Sequence, residues 1–389
     1  MSVTAAQGFV GSGVACGIKA SGDRDLSLVA TEDGRPGAAA AVFTTNLATA
    51  APVLVSRQHL AASGGRVSAV ILNSGNANAA TGDTGVGHAE RMCHLVAEGI
   101  GCTTEQVVVC STGLIGIPLP IEAVERGMPD LLAGRGPGPV AGEAAARAIM
   151  TTDTHPKQTV QRAGSVTVGG MAKGAAMLAP NMATMLAILT TDADLTPAEL
   201  QVHLAVAVRD SFNALSVDGC TSTNDTVLLL ASGRAGHPDP GAFSAAVSAA
   251  CADLAGQMAG DAEGATKVIT VRVVGAADHG EAALAARKVA ESQLVKCSFY
   301  GEDPYWGRVV SELGSAGVTF DPNRVAVSYG GVMVARDGIG VEHDEAAVKA
   351  HLAGRRVELV ADLNVGSGSG VILTNDLTHA YIDENMRTS

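Results

Sequence analysis

Aromatic side chains are scarce in this chain: one Trp, four Tyr and six Phe make up 3% of its 389 residues. The core must therefore be built from Ala, Val, Leu, Ile and Met, which a hydrophobic content of 47% supplies. Positive charge is also short. Against 39 Asp and Glu stand 26 Lys and Arg, a formal net charge of −13. Nucleic acid and anionic membrane both require basic surface, so neither is expected as a partner. No apolar run approaches the roughly 20 residues of a membrane span. Residues 1–20 lack a basic start followed by an apolar block, so no secretory leader is expected. Paired cysteines are missing as well. Cys16, Cys93, Cys102, Cys110, Cys220, Cys251 and Cys297 are scattered, odd in number and without a C-x-x-C pair or a nearby zinc-spaced His. Reduced thiols in a cytoplasmic protein, with no metal site, are the expectation.

What the chain has in excess is glycine, 47 residues, which implies many tight turns and close backbone approaches. The length suits two or three domains or one large layered one. Residues 8–20, GFVGSGVACGIKA, miss the phosphate-loop frame because Ile18 separates Gly17 from Lys19. Asp25 to Ala30 and Ala38 to Phe43 are expected strands, and Val67 to Asn73 is an apolar strand stopping at the polar loop 74–82, SGNANAATG. That loop suits either an ordinary turn or a backbone approach to a ligand. A helix is expected over Gly85 to Ile100, then a strand through VVVC at 107–110 that ends in Ser111-Thr112-Gly113. Cys110, on an apolar strand, is an inert buried thiol. Glu143 to Met150 is an expected helix running into Thr151-Thr152-Asp153, and Thr196-Pro-Ala-Glu199 starts another that reaches about Asn213. The hydroxyl-rich loop 216–225 leads into a strand, Thr226 to Ala231. Helices over Ala242 to Ala259 and Glu281 to Leu294, a strand over Val268 to Val274 and short strands from Val318 complete the chain, with a helix near Asp344 to Leu352. No fixed-period repeat and no nucleotide-binding βαβ series are present. A layered α+β fold with mixed sheets is the expectation.

One stretch stands out chemically, GGMAKGAAMLAPNMATMLAILTTD over Gly169 to Asp192. Ala183-Thr184 sits just before an apolar run, Met185 to Leu189. A small residue leaves its carbonyl open to attack, and a buried strand fixes the hydroxyl residue that follows. Breaking the bond before Thr184 would give the threonine a free α-amine beside its own hydroxyl, one way to activate a weak nucleophile. A loop feeding a core strand is the plainer account of the same residues. Ser111-Thr112-Gly113 suits either a common turn or a hydroxyl and N–H pair donating to an oxyanion.

CSTGLIG (110–116), AIMTTD (148–153), the stretch 169–193, STNDTV (222–227), DAEGATK (261–267) and DPYWGR (303–308) together resemble the glutamate N-acetyltransferase family, also called ornithine acetyltransferase, in order and along essentially the whole chain. The resemblance implies a layered αββα sandwich, similar to the N-terminal-nucleophile hydrolases but with different connectivity. It implies transfer of acetyl from N-acetylornithine to glutamate in arginine synthesis, through an acetyl-threonine intermediate. It also implies self-cleavage between Ala183 and Thr184, giving an α piece (1–183) and a β piece (184–389) in an α2β2 assembly. Thr184 matches the nucleophile, and Thr112 with Gly113 the oxyanion hole. Thr151, Lys173, Glu263, Asn385 and Ser389 match substrate-contacting positions. No cofactor is implied, and use of acetyl-CoA as a second acetyl donor stays open. So do an N-terminal-threonine amidohydrolase or aminopeptidase and a specialised-metabolism relative with another acceptor. Two departures are visible. Relatives often carry KGSGM or KGAGM where this chain has Lys173-Gly-Ala-Ala176-Met, an extra methyl expected to slow self-cleavage. The tail after Asn385 is one residue short, which leaves Thr388 and Ser389 both available for the last contact.

Overall fold

A computed structural model describes residues 2–177 and 185–386. The chain divides into two compact units, one of residues up to Asn213 with Cys220–Met258, the other of Ala214–Gly219 with the residues from Ala259 onward.

The first unit holds two mixed sheets. One has four strands in the order Phe9–Val14, Leu26–Thr31, Ala69–Asn76, Val107–Leu114, the last pair parallel and the rest antiparallel. The other has six, in the order Arg66–Val67, Gly37–Phe43, Thr226–Gly236, Leu186–Ala193, Val166–Lys173, Lys157–Ala163. Only its Thr226–Gly236 and Leu186–Ala193 pair is parallel. Alternation along the strands explains how the sheets stack. Val70, Leu72, Val108 and Cys110 point to the second sheet and pack with Met171, Leu186, Ile188, Leu228 and Leu230. Their neighbours Ala69, Ile71, Val107 and Val109 point the other way, onto Ala89, Met92, Cys93 and Val96 of the helix Gly82–Ile100. Strands buried on both faces read as continuous apolar runs, which is why VVVC carries no polar alternation. The outer face of the second sheet meets the helices Pro197–Arg209 and Pro240–Gly260, for example through Thr159 Oγ1, which donates to Asp253 at 2.6 Å. Helix, sheet, sheet, helix is the order of layers in this unit.

The second unit is a third mixed sheet, ordered Ile339–Gly340, Val332–Arg336, Ala326–Tyr329, Arg356–Asp362, Val268–Ala276, Gly368–Asn375. Val271, Val273 and Leu359 pack there with Ala285, Val289 and Phe299 from the helices His279–Glu291 and Gln293–Tyr300.

Several expected elements differ in extent. The helix expected over Glu281 to Leu294 is two helices, because Ser292 leaves the helical region (ψ 119°) and its hydroxyl caps the second by accepting from Val295 N. The helix from Thr196 starts on the expected capping box but ends at Arg209, not Asn213. The strand through VVVC takes in Ser111-Thr112-Gly113, as expected. It runs on to Leu114, with Thr112 and Gly113 paired to Ser74 and Gly75. The division at 183/184 does not coincide with the division into compact units, since the paired strands Val166–Lys173 and Leu186–Ala193 on either side of it share one sheet. All seven cysteines are free thiols.

Candidate functional site

Thr112 and Gly113 sit at the end of a parallel strand pair, where backbone N–H groups begin to run out of ladder partners. Thr112 is buried, while Gly113 is exposed. Gly113 has φ 130°, and a Cβ there would lie 2.3 Å from the carbonyl carbon of Gly75. Only glycine fits this close approach. Asn224 ties the neighbourhood together: its Nδ2 donates to Ala77 O at 2.6 Å and to Ser111 O at 3.0 Å. The two polar loops singled out in the sequence, 74–82 and 216–225, thus meet beside Thr112. The first of them is a packed turn. Asn76 Nδ2 donates to Ile117 O and Pro118 O, and Asn78 Nδ2 to Gly85 O, so its amides are used in holding the turn.

A second group of residues surrounds Asp153. Its Oδ2 accepts from Thr151 N at 3.0 Å, and its Oδ1 accepts from Lys157 Nζ at 2.5 Å and from Gly174 N at 2.7 Å. One buried carboxylate therefore brings the Thr151 turn and the residue after Lys173 to a common point. Burial alone would raise the Asp153 pKa, but the Lys173 and Lys157 ammonium groups and the Gly174 N–H outweigh it and hold the carboxyl at about 2. Lys157 is fully buried and Lys173 nearly so, which only a paired environment permits. Lys19, the lysine of the failed phosphate-loop frame, supports the same turn by donating to Met150 O at 2.7 Å. Ser74 Oγ does so from the other sheet, donating to Ala148 O at 2.7 Å.

Asp225 is the third element. Its Oδ1 accepts from Met185 N at 2.9 Å, and its Oδ2 has no partner among the described residues. Burial dominates here and pushes the carboxyl well above the usual carboxylate range, against the pull of the Met185 N–H and the Lys173 ammonium. Through Met185 N, Asp225 holds the start of the strand Leu186–Ala193. Asp153 and Asp225 thus anchor the two ends of the connection from Gly174 to Met185. Ala183, Thr184 and Ser389, the expected cleavage site, nucleophile and tail contact, lie outside the described residues. Ala176 precedes them, and it is Met177, not Ala176, that takes a left-handed conformation (φ 54°). The extra methyl at Ala176 therefore imposes no backbone penalty of that kind.

In the second unit, Glu263 and Asn385 meet. Asn385, the last residue of the helix His379–Asn385, donates from Nδ2 to Glu263 Oε2 at 2.8 Å. The loop carrying Glu263 is held by Asp376, which accepts from Thr266 N and Lys267 N at 3.0 and 2.8 Å, and by Thr378 Oγ1, which donates to Gly264 O. Asp376 and Asp225 are contributions that sequence reasoning did not isolate. Asp225 had stood in a quoted motif without a role of its own. Among the described residues no cluster of three His, Cys, Asp or Glu is arranged to hold a metal ion, and no helix is long and apolar enough to cross a membrane.

A layered α+β sandwich whose strand ends gather a Thr-Gly pair, buried lysines and buried aspartates defines a class, and the comparisons with known proteins give it a family. The model of the ArgJ family matches residues 11–388, and the chain belongs to that family. It is 49% identical over 386 residues to the arginine biosynthesis bifunctional protein ArgJ of Streptomyces avermitilis, covering 99% of each chain. It is 48% identical over 387 residues to the protein of the same name from Streptomyces coelicolor, again covering 99% of each. Among solved structures, an ornithine acetyltransferase of Mycobacterium tuberculosis complexed with ornithine is 46% identical, over 46% of this chain and 94% of that one, with a TM-score of 0.44. With the family comes the enzyme class expected from the sequence, an arginine-biosynthetic enzyme of the glutamate N-acetyltransferase (ornithine acetyltransferase) type.

Proposed function

We propose that this chain cuts itself before Thr184 and then uses Thr184 to carry acetyl from N-acetylornithine to glutamate. In the first step Thr184 Oγ attacks the Ala183 carbonyl carbon. The C–N bond breaks to leave an ester, and water releases the Ala183 carboxylate and the free Thr184 amine. In the second, Thr184 Oγ attacks the acetamide carbonyl of N-acetylornithine. Its α-amine, with an ordinary pKa of about 7.7–8.0, takes the hydroxyl proton and returns it to the leaving amine. Thr112 Oγ1 and Gly113 N–H donate to the tetrahedral oxyanion. Ornithine departs, and the amine of glutamate takes the acetyl group from the threonine ester. No cofactor is needed, because the ester itself stores the acetyl group. Lys173 pairs with the substrate α-carboxylate and Glu263 with a substrate amine, with Thr151, Asn385 and Ser389 as further contacts. Two α and two β pieces in a cytoplasmic α2β2 assembly complete the reading.

The observation that carries it is the pair of buried anchors. Asp153 on Gly174 N and Asp225 on Met185 N fix both ends of the connection that contains Thr184. A nucleophile that must first reach its own backbone and then a substrate needs such fixed ends. Intact mass and an acetyl-transfer assay on Thr184→Ala test it. Retained transfer in that variant would end the proposal, and release of free acetate in place of acetylglutamate by the parent protein would make it a hydrolase.

A further inference from the structure

The strand Val107–Leu114 lies at the open edge of its four-stranded sheet. Backbone groups of successive strand residues face opposite sides, so every second residue here offers its N–H and C=O to no neighbouring strand. Side chains from elsewhere meet these groups one by one. His59 Nδ1 donates to Val107 O at 2.7 Å. Ser56 Oγ donates to Val109 O at 2.6 Å and accepts from Val109 N at 3.0 Å. Asn224 Nδ2 donates to Ser111 O at 3.0 Å. Next in this alternation comes Gly113, the proposed oxyanion donor, and it is exposed. Asn224 is therefore the last clamp before that donor. Its amide is locked in orientation, since Nδ2 spends its other hydrogen on Ala77 O at 2.6 Å and Oδ1 accepts from Thr223 Oγ1 at 2.6 Å. The next two residues hold a different strand. Asp225 Oδ1 accepts from Met185 N at 2.9 Å, and Thr226 N donates to Met185 O at 3.2 Å. Asn224, Asp225 and Thr226 thus grip, in turn, the strand of the proposed oxyanion hole and both backbone groups of the residue that follows Thr184.

From this arrangement we propose that Asn224 is a positioning residue for acetyl transfer, which together with Asp225 sets the spacing between the nucleophile and the oxyanion donors Thr112 and Gly113. The proposal rests on the roles given above to Thr184, Thr112 and Gly113. Adjacent Cα atoms are held about 3.8 Å apart across a trans peptide, so neighbouring side chains on one short segment make a stiff spacer between the two strands they grip. The Ser111 carbonyl belongs to the same planar peptide unit as Thr112 N. Clamping that oxygen fixes the plane from which Thr112 and then Gly113 extend. Asn224 acts through Ser111 O, not through a bond to the reacting atoms. Removing its amide frees the strand end, and a shift of about 1 Å between reacting groups can cost about 100-fold in rate. Lys173 and Glu263, the proposed substrate contacts, are not among its partners, so substrate binding is spared.

Steady-state acetyl transfer by full-length Asn224→Ala and Asn224→Ser tests it, with rates expressed per cut chain as counted by intact mass. In each variant kcat should fall about 10–100-fold while KM stays within about threefold of the parent. Ser56→Ala is the control. It uncaps Val109 of the same strand, and its kcat should stay within about twofold of the parent, whatever it loses in urea midpoint. A second readout is Asn224→Ala placed in a Thr112→Val background. There it should cost less than about a third of the factor it costs alone, because part of what it positions is already gone. Parent-like kcat in both Asn224 variants, a loss carried by KM, an equal loss in Ser56→Ala, or a fully multiplicative loss in the double variant overturns the positioning role. Failure of both variants to fold by circular dichroism also overturns it, in favour of a structural role. So does a folded variant that stays wholly uncut, which would place Asn224 in the cutting step. Retained transfer in Thr184→Ala ends the underlying reading whatever Asn224 does, whereas parent-like Asn224 variants beside an inactive Thr184→Ala end this proposal alone.

Discussion

Asp153 and Asp225 are both buried aspartates at opposite ends of one connection, and their pKa values are shifted in opposite directions. Asp153 has two lysines for company and stays ionised down to a pH of about 2. At Asp225 burial outweighs the Met185 N–H and the Lys173 ammonium and raises the carboxyl well above the usual carboxylate range. Depth is therefore no guide to protonation; the supply of compensating charge is. The ionised end gathers Thr151, Lys157 and Gly174 into a rigid polar knot. The Asp225 end grips Met185 N alone among the described backbone groups.

The largest effect separating the two ends should come from Asp153→Ala. It removes the carboxylate from the fully buried Lys157–Asp153 pair, and breaking a buried pair in this way costs about 3–5 kcal/mol, readable as a drop in the denaturant midpoint. Thr112→Val should fold normally yet lose on the order of 10²–10³ in kcat, with KM changed only a few fold, if its hydroxyl meets the oxyanion. An equal rise in KM with kcat intact would give Thr112 a binding role.

Smaller effects separate the two aspartates by pH. Asp153 has a folded pKa depressed from near 4 to about 2, so its stabilisation is complete above the unfolded value and is lost as pH falls through the folded one. About 2 kcal/mol should disappear between roughly pH 4 and pH 2, and Asp153→Asn should lack this component. Asp225 has a raised folded pKa, so the sign reverses: its contribution declines as pH rises above its unfolded value. Asp225→Asn, which keeps a neutral acceptor for Met185 N, should change stability by less than about 1 kcal/mol at low pH and should remove that decline. Urea titrations of both variants across pH 2–7 check the pair. Parent and Asp225→Asn stabilities that run parallel from pH 4 to pH 7 would contradict the raised pKa of Asp225.

Local signals made much of this legible. The Thr196 capping box, the apolar face of the helix Gly82–Ile100 and the unbroken apolar strands follow from short-range pattern. What escaped depends on partners distant in the chain. Asp153 and Lys157 look like unrelated polar residues until Gly174 arrives to share the carboxylate. Asp225 is one polar residue among many in its loop, and it is burial that raises its pKa.

The central claim is that the anchored connection carries a threonine which cuts the chain and then transfers acetyl. Intact mass spectrometry of the purified protein beside Thr184→Ala tests it most directly. The account predicts two pieces, ending at Ala183 and beginning at Thr184, in the parent, and one full-length, transfer-inactive chain in the variant. A single uncut chain in a parent that transfers acetyl at full rate would contradict it.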